Sequence, residues 1–81
     1  MKAEALLRLA RKVARGEGYS IEELPGRGKG SHRIYAVLDS AGNELGRFSL
    51  THHPKDVSWT VLRQIEDNLA HLFGQNWMER R

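Results

Sequence analysis

The stretch Gly26-Arg27-Gly28-Lys29-Gly30-Ser31-His32 gathers three kinds of chemistry into one short run. Its glycines let the backbone approach a ligand closely and turn N–H groups toward it, while Arg27 and Lys29 add positive charge. His32 follows directly. Imidazole titrates near neutrality, so it can take a proton from a ribose 2′-OH or give one to a leaving 5′-oxygen. A group so placed contributes roughly 10²–10⁴-fold in rate, with neighbouring cations stabilising charge on the phosphorus oxygens. This is not a nucleotide P-loop, because the Gly-Lys-Ser/Thr ending and the helix after it are missing. The segment suits a phosphodiester backbone. Taken alone, such a segment is more often a plain loop followed by a strand-end histidine satisfied by hydrogen bonds.

The remaining histidines are His52, His53 and His71. A zinc site at His32, His52 and His53 is a poor expectation, since zinc takes a tetrahedral set of N or S ligands and the chain has no Cys. Adjacent His52 and His53 would point to opposite sides of a strand. We therefore expect no metal and no cofactor.

These residues must be positioned by a small set of elements. Leu6, Leu9, Ala10 and Val13 recur at helical spacing and predict a helix over 3–15, with Arg8, Arg11, Lys12 and Arg15 on the opposite stripe. Gly16 and Gly18 end it. Residues 19–24 form a weak strand candidate and 25–31 a loop. The β-branched and aromatic run 32–38 predicts a second strand, the Asp39–Gly46 segment a turn, and 47–51 a third strand. Pro54 breaks the pattern. A second helix starts near Asp56 or Ser58, either of which could cap it, and runs to Phe73 before Gly74. Its apolar stripe is Val61, Leu62, Ile65, Leu69, Leu72 and Phe73, with His71 on the solvated stripe. Residues 75–81 form a short polar tail, in which Trp77 and Met78 suggest a surface for a partner. Trp59 and Trp77 are the aromatics able to stack on bases.

Each helix has one apolar stripe, and a three-stranded antiparallel sheet has one face to cover. The predicted fold is therefore α+β, in the order α-β-β-β-α, with both helices on one sheet face. That is the double-stranded-RNA-binding type of sandwich. Strand parity puts His32 on the same side as Ile34, Ala36 and Leu38, so its use in chemistry requires that this junction be open to solvent.

Composition agrees with one domain spanning 1–81. The chain has 81 residues, 40% of them hydrophobic and 28% charged, which favours a folded domain over disorder. No apolar run approaches the roughly 20 residues of a membrane span, and the charged beginning is unlike a signal peptide. Absence of Cys fits a reducing compartment, so a cytoplasmic location is expected. Net charge is +3, unevenly spread: residues 1–33 hold eight Lys or Arg against four acids, residues 34–81 five against six. The positive portion points to an anionic partner such as nucleic acid.

Gly28-Lys29-Gly30-Ser31-His32, the strand Arg33-Ile34-Tyr35, the turn with Gly42, the strand leading into His53-Pro54, and Gly18-Tyr19 after the first helix resemble HicA toxins over residues 3–73. The resemblance implies the double-stranded-RNA-binding fold, metal-independent inactivation of mRNA, and neutralisation by a HicB-like antitoxin. It makes His32 the functional histidine and places the family's later one at His53 or its neighbour His52. Arg27, Lys29, Gly30, Ser31 and Arg33 would then hold RNA. The expectation is an mRNA-cleaving toxin of a toxin–antitoxin pair, a monomer or weak homo-oligomer when free. Two alternatives are a non-catalytic RNA-binding module and a protein-interaction or inhibitor domain on the same fold.

Overall fold

The computed structural model describes residues 1–26, 32–52 and 56–79. Helix α1 (Ala3–Gly16) is built from Ala, Leu, Arg and Lys, all strong helix formers. Glu4 in its first turn and Arg15 in its last suit the helix dipole. It buries Ala3, Leu6, Ala10, Val13 and Ala14, leaving Leu9 half-exposed. The chain leaves the helix through a Schellman turn. Gly18 sits at φ 81°, its N–H donates to the Arg15 carbonyl (3.1 Å), and the Tyr19 N–H donates to the Ala14 carbonyl (2.8 Å). Gly16 stays within the helix, and Gly18 is the residue that turns it.

Strands β1 (Ser20–Glu23), β2 (His32–Leu38) and β3 (Glu44–Thr51) form an antiparallel sheet in the order β1-β2-β3. β3 starts three residues earlier than its alternation predicts. A register irregularity between Val37 and Leu38 lets Leu38 pair with Glu44, which lengthens the ladder. The β2–β3 turn is organised by Asp39, whose Oδ1 accepts from the Ala41 and Asn43 N–H groups at 2.9 Å. Gly42 supplies the left-handed residue at φ 85°. These bonds, led by that from the Asn43 backbone, hold the Asp39 carboxyl below the ordinary range.

Helix α2 (Trp59–Phe73) begins at Ser58, whose Oγ accepts from the Val61 N–H at 3.3 Å. Of the two expected caps, Ser58 has the role. Asp56 instead meets the N-terminal amine (3.6 Å) and Lys2 Nζ (3.4 Å), and the Val57 N–H donates to the Met1 carbonyl (2.8 Å). The start of the chain is thus fastened to the approach to α2.

Register and burial together assign the sheet faces. Ile21, Tyr35, Val37, Phe48 and Leu50 lie on one face and join a buried cluster with residues of α1 and α2. Tyr35 and Phe48, directly opposite one another, stack with ring centroids 5.4 Å apart. Both helices therefore cover the same side. The opposite face carries His32, Ile34, Ala36 and Leu38 from β2, with Arg47, Ser49 and Thr51 beside them on β3. The architecture is α+β, in the expected element order.

Two details depart from the sequence reading. Val61 belongs to the apolar stripe of α2, yet it is 38% exposed; Ile65, Leu69 and Phe73 turn into the core instead. Trp77 is corrected more sharply. It is fully buried and takes no part in a surface tail, so it can neither stack on a base nor form a docking patch as expected. Gly74 (φ 95°) and Asn76 (φ 55°) reverse the chain after α2, and a 3₁₀ turn, η1 (Trp77–Glu79), returns the indole to the core. There it meets Phe73 edge-on at 5.1 Å, and its Nε1–H donates to the Glu66 carbonyl at 2.9 Å.

Candidate functional site

His32 opens β2 and stands directly opposite Thr51 of β3. The Leu24 N–H donates to the Ile34 carbonyl, so the even-numbered residues of β2 direct their backbone groups toward β1. His32 and Thr51 thus form a pair without mutual ladder bonds, the arrangement in which opposing side chains come closest. Their contact follows: His32 Nδ1 lies 3.2 Å from Thr51 Oγ1. This bond fixes the ring from one nitrogen. Nε2 has no hydrogen-bond partner among the described residues, and the side chain is exposed on the open sheet face. The requirement set by strand parity is met.

A groove of ≈ 450 Å³ adjoins this ring. One wall is the outer edge of β3, with Ser49 and Thr51; the other is Val57 and the Val61–Ile65 side of α2. Asp56 also lines it, its carboxyl held below the usual range by its hydrogen bond to Lys2 and by the N-terminal charge.

The other candidates are dispersed. Arg33 follows His32 in sequence and so projects to the opposite, helix-covered face, where it pairs with Glu23 at 3.2 Å, both half-exposed. His32 and Arg33 are therefore not brought together. His52 also faces that side. Its Nε2 is 2.7 Å from the Tyr35 hydroxyl, with the two rings 5.9 Å apart. Burial raises the Tyr35 hydroxyl above its ordinary range, the Glu23 charge adds to the rise, and Arg33 and Arg11 oppose it. Arg27, Lys29, Gly30, Ser31 and His53 lie outside the described residues.

Positive charge without a partner is concentrated elsewhere. Arg8, Arg11, Lys12 and Arg15 are all exposed on the outer stripe of α1, and none forms an ion pair with another described residue. By contrast, Lys2, Arg33 and Arg47 each meet a carboxylate, and Arg63 lies over the Trp59 ring at 5.3 Å. Among the described residues, no group of three or more His, Asp or Glu side chains is placed to hold a metal ion.

An exposed imidazole with one nitrogen held and the other without a partner among the described residues has the geometry for proton transfer. The His52–Tyr35 pair and the groove escaped sequence reasoning. Alternation does place Tyr35 and Phe48 on one face, but nothing local says that His52 joins them. Comparison with protein-family models, curated proteins and solved structures finds no match to the chain.

Proposed function

We propose that the chain binds RNA and that His32 transfers a proton in metal-independent cleavage of mRNA, in the manner of the HicA toxins its motif resembles. The observation that carries the reading is the exposed His32 ring, whose Nε2 has no partner among the described residues, immediately after the Arg27–Ser31 segment. In this reaction the ribose 2′-oxygen attacks phosphorus and gives up its proton, the bond to the 5′-oxygen breaks, and that oxygen takes up a proton. The products are a 2′,3′-cyclic phosphate and a 5′-hydroxyl. Histidine can serve either transfer. Arg27 and Lys29 flank the ring in sequence and supply charge for the phosphorus oxygens, with Gly30 and Ser31 offering backbone N–H groups and His53 assisting. Arg33, turned away and paired with Glu23, is left out of this assembly. A HicB-like protein is the antitoxin in this reading, and the cytoplasm its setting.

The test is incubation of purified protein with RNA in excess EDTA. Cleavage that falls roughly 10²–10⁴-fold in His32→Ala, with RNA affinity retained, supports the assignment. Equal cleavage by the variant refutes it.

One observation favours the second reading, a non-catalytic RNA-binding module. The α1 cations, without ion-pair partners among the described residues, and the His32 ring lie on opposite sides of the sheet. A module of this kind binds RNA through α1 in a salt-sensitive way and yields no product with time.

A further inference from the structure

The His32 ring is exposed, and an exposed ring keeps one orientation only if something holds it. Among the described residues its hydrogen-bond partner is Thr51 Oγ1, 3.2 Å from Nδ1. Asp56 lines the same groove, but its carboxylate is engaged by Lys2 Nζ at 3.4 Å and by the N-terminal amine at 3.6 Å. The described group set against this imidazole is therefore a neutral hydroxyl.

Thr51 is built to hold a ring still. Branching at Cβ restricts its χ1, and the residue is half-buried at the end of β3. The next residue pins the chain from the covered face. His52 Nε2 lies 2.7 Å from the hydroxyl of Tyr35, a residue only 2% exposed. The hydroxyl that meets His32 thus projects from a strand end fastened on its other side.

Protonation chemistry selects the sense of the bond. A hydroxyl can donate to an unprotonated Nδ1 or accept from Nδ1–H. If it donates, the bond breaks once the ring becomes cationic, because both nitrogens then carry hydrogen. If it accepts, the bond survives that change and strengthens with the positive charge. The accepting arrangement also leaves the lone pair of the neutral ring on Nε2.

We propose that Thr51 is the positioning residue of His32: its hydroxyl accepts Nδ1–H, holds the ring and presents Nε2 as a base. Its consequence for the reaction rests on the cleavage reading, whereas the ring geometry needs no RNA. In that reaction Nε2 takes the proton as the ribose 2′ O–H bond breaks, and the electron pair left on oxygen attacks phosphorus. The Nδ1–H bond to Oγ1 strengthens as the ring gains charge, so its loss lowers the rate at saturating RNA and leaves affinity unchanged.

The test compares Thr51→Val, which keeps the branched shape without a hydroxyl, with Thr51→Ser, which keeps the hydroxyl. Nitrogen-15 NMR of the ring, in the whole chain without RNA, reads which nitrogen carries the proton. The measurement is made at about pH 8, where an ordinary imidazole is neutral. Wild type and Thr51→Ser should show mainly the Nδ1–H form. Thr51→Val should shift toward the Nε2–H form, with His32 χ1 couplings averaged among rotamers. In EDTA, Thr51→Val should cut RNA about tenfold more slowly at saturation, the worth of one hydrogen bond. Its half-saturation concentration should be unchanged, and Thr51→Ser should match wild type. The wild-type ring is read without any substitution, so the inference stays testable if a variant fails to fold. A dominant Nε2–H form in wild type overturns it, as do ring signals unaltered by Thr51→Val. So does a saturating rate that Thr51→Val leaves at the wild-type value, or that Thr51→Ser lowers equally. A wild-type chain that cuts no RNA refutes the cleavage reading instead, and the ring signals then decide whether Thr51 positions His32.

Discussion

The outer face of α1 and the rim around His32 are opposites in chemistry. α1 presents four exposed cations without ion-pair partners among the described residues, and that stripe carries no histidine. The His32 rim presents an imidazole with a free nitrogen beside a groove lined, among the described residues, by no cation and by one ionised carboxylate. One surface can attract a polyanion but not transform it. The other carries the imidazole, and its one carboxylate, Asp56, is ion-paired with Lys2 and the N-terminal amine. In the proposed reading, affinity from α1 and proton transfer at His32 fall on different faces of one small core, so each can be altered while the other is left intact.

The largest change breaks both faces together. Trp77 fills the core beneath the helices, so Trp77→Ala should cost about 3–5 kcal/mol of stability in chemical denaturation. RNA binding and any cleavage should then decline in parallel near the lowered melting temperature. A variant as stable as wild type would contradict the burial of the indole.

Changing Arg8, Arg11, Lys12 and Arg15 together to Gln separates the faces. Glutamine keeps good helix propensity, so the fold should be unchanged by circular dichroism. The slope of log affinity against log salt should fall by roughly 0.7 for each lost phosphate contact on single-stranded RNA. An unchanged slope would move binding away from α1.

Ser58→Ala acts on the groove side alone. Loss of the cap to Val61 should cost about 1 kcal/mol and loosen the first turn of α2, with RNA affinity at α1 unaltered. The smallest effect concerns Tyr35, beneath both helices. Burial holds its hydroxyl above the ordinary tyrosine value of 10.0, so the folded state keeps the proton longer than the unfolded chain does. The stabilisation is complete below pH 10.0 and is lost as pH rises through the folded-state value. Tyr35→Phe should flatten that alkaline decline in thermal melts.

How far the sequence foretold these faces depends on the reach of each cause. β2 was readable because Ile34, Tyr35 and Val37 concentrate β-branched and aromatic residues between the Gly-rich segment and the Asp39 turn. The cationic stripe of α1 was readable because helical spacing is local. The exposure of His32 was not, since parity tells which residues share a side but not which side the helices cover. Val61 was misplaced for a similar reason: a stripe wider than the buried contact leaves one member facing the β3 edge. Trp77 was lost because its burial depends on the left-handed turn at Gly74 and Asn76, which returns the chain to distant partners. Arg27, Lys29, Gly30, Ser31 and His53, expected at the site, lie outside the described residues, so the arrangement of cations around His32 rests on sequence adjacency.

The division between the two faces is tested most directly by the cleavage rate of the α1 glutamine variant in EDTA, measured across RNA concentrations. The account predicts a raised half-saturation concentration and a rate at saturating RNA within about twofold of wild type, because the proton is moved on the other side of the sheet. A saturating rate that collapses as it does in His32→Ala would contradict it.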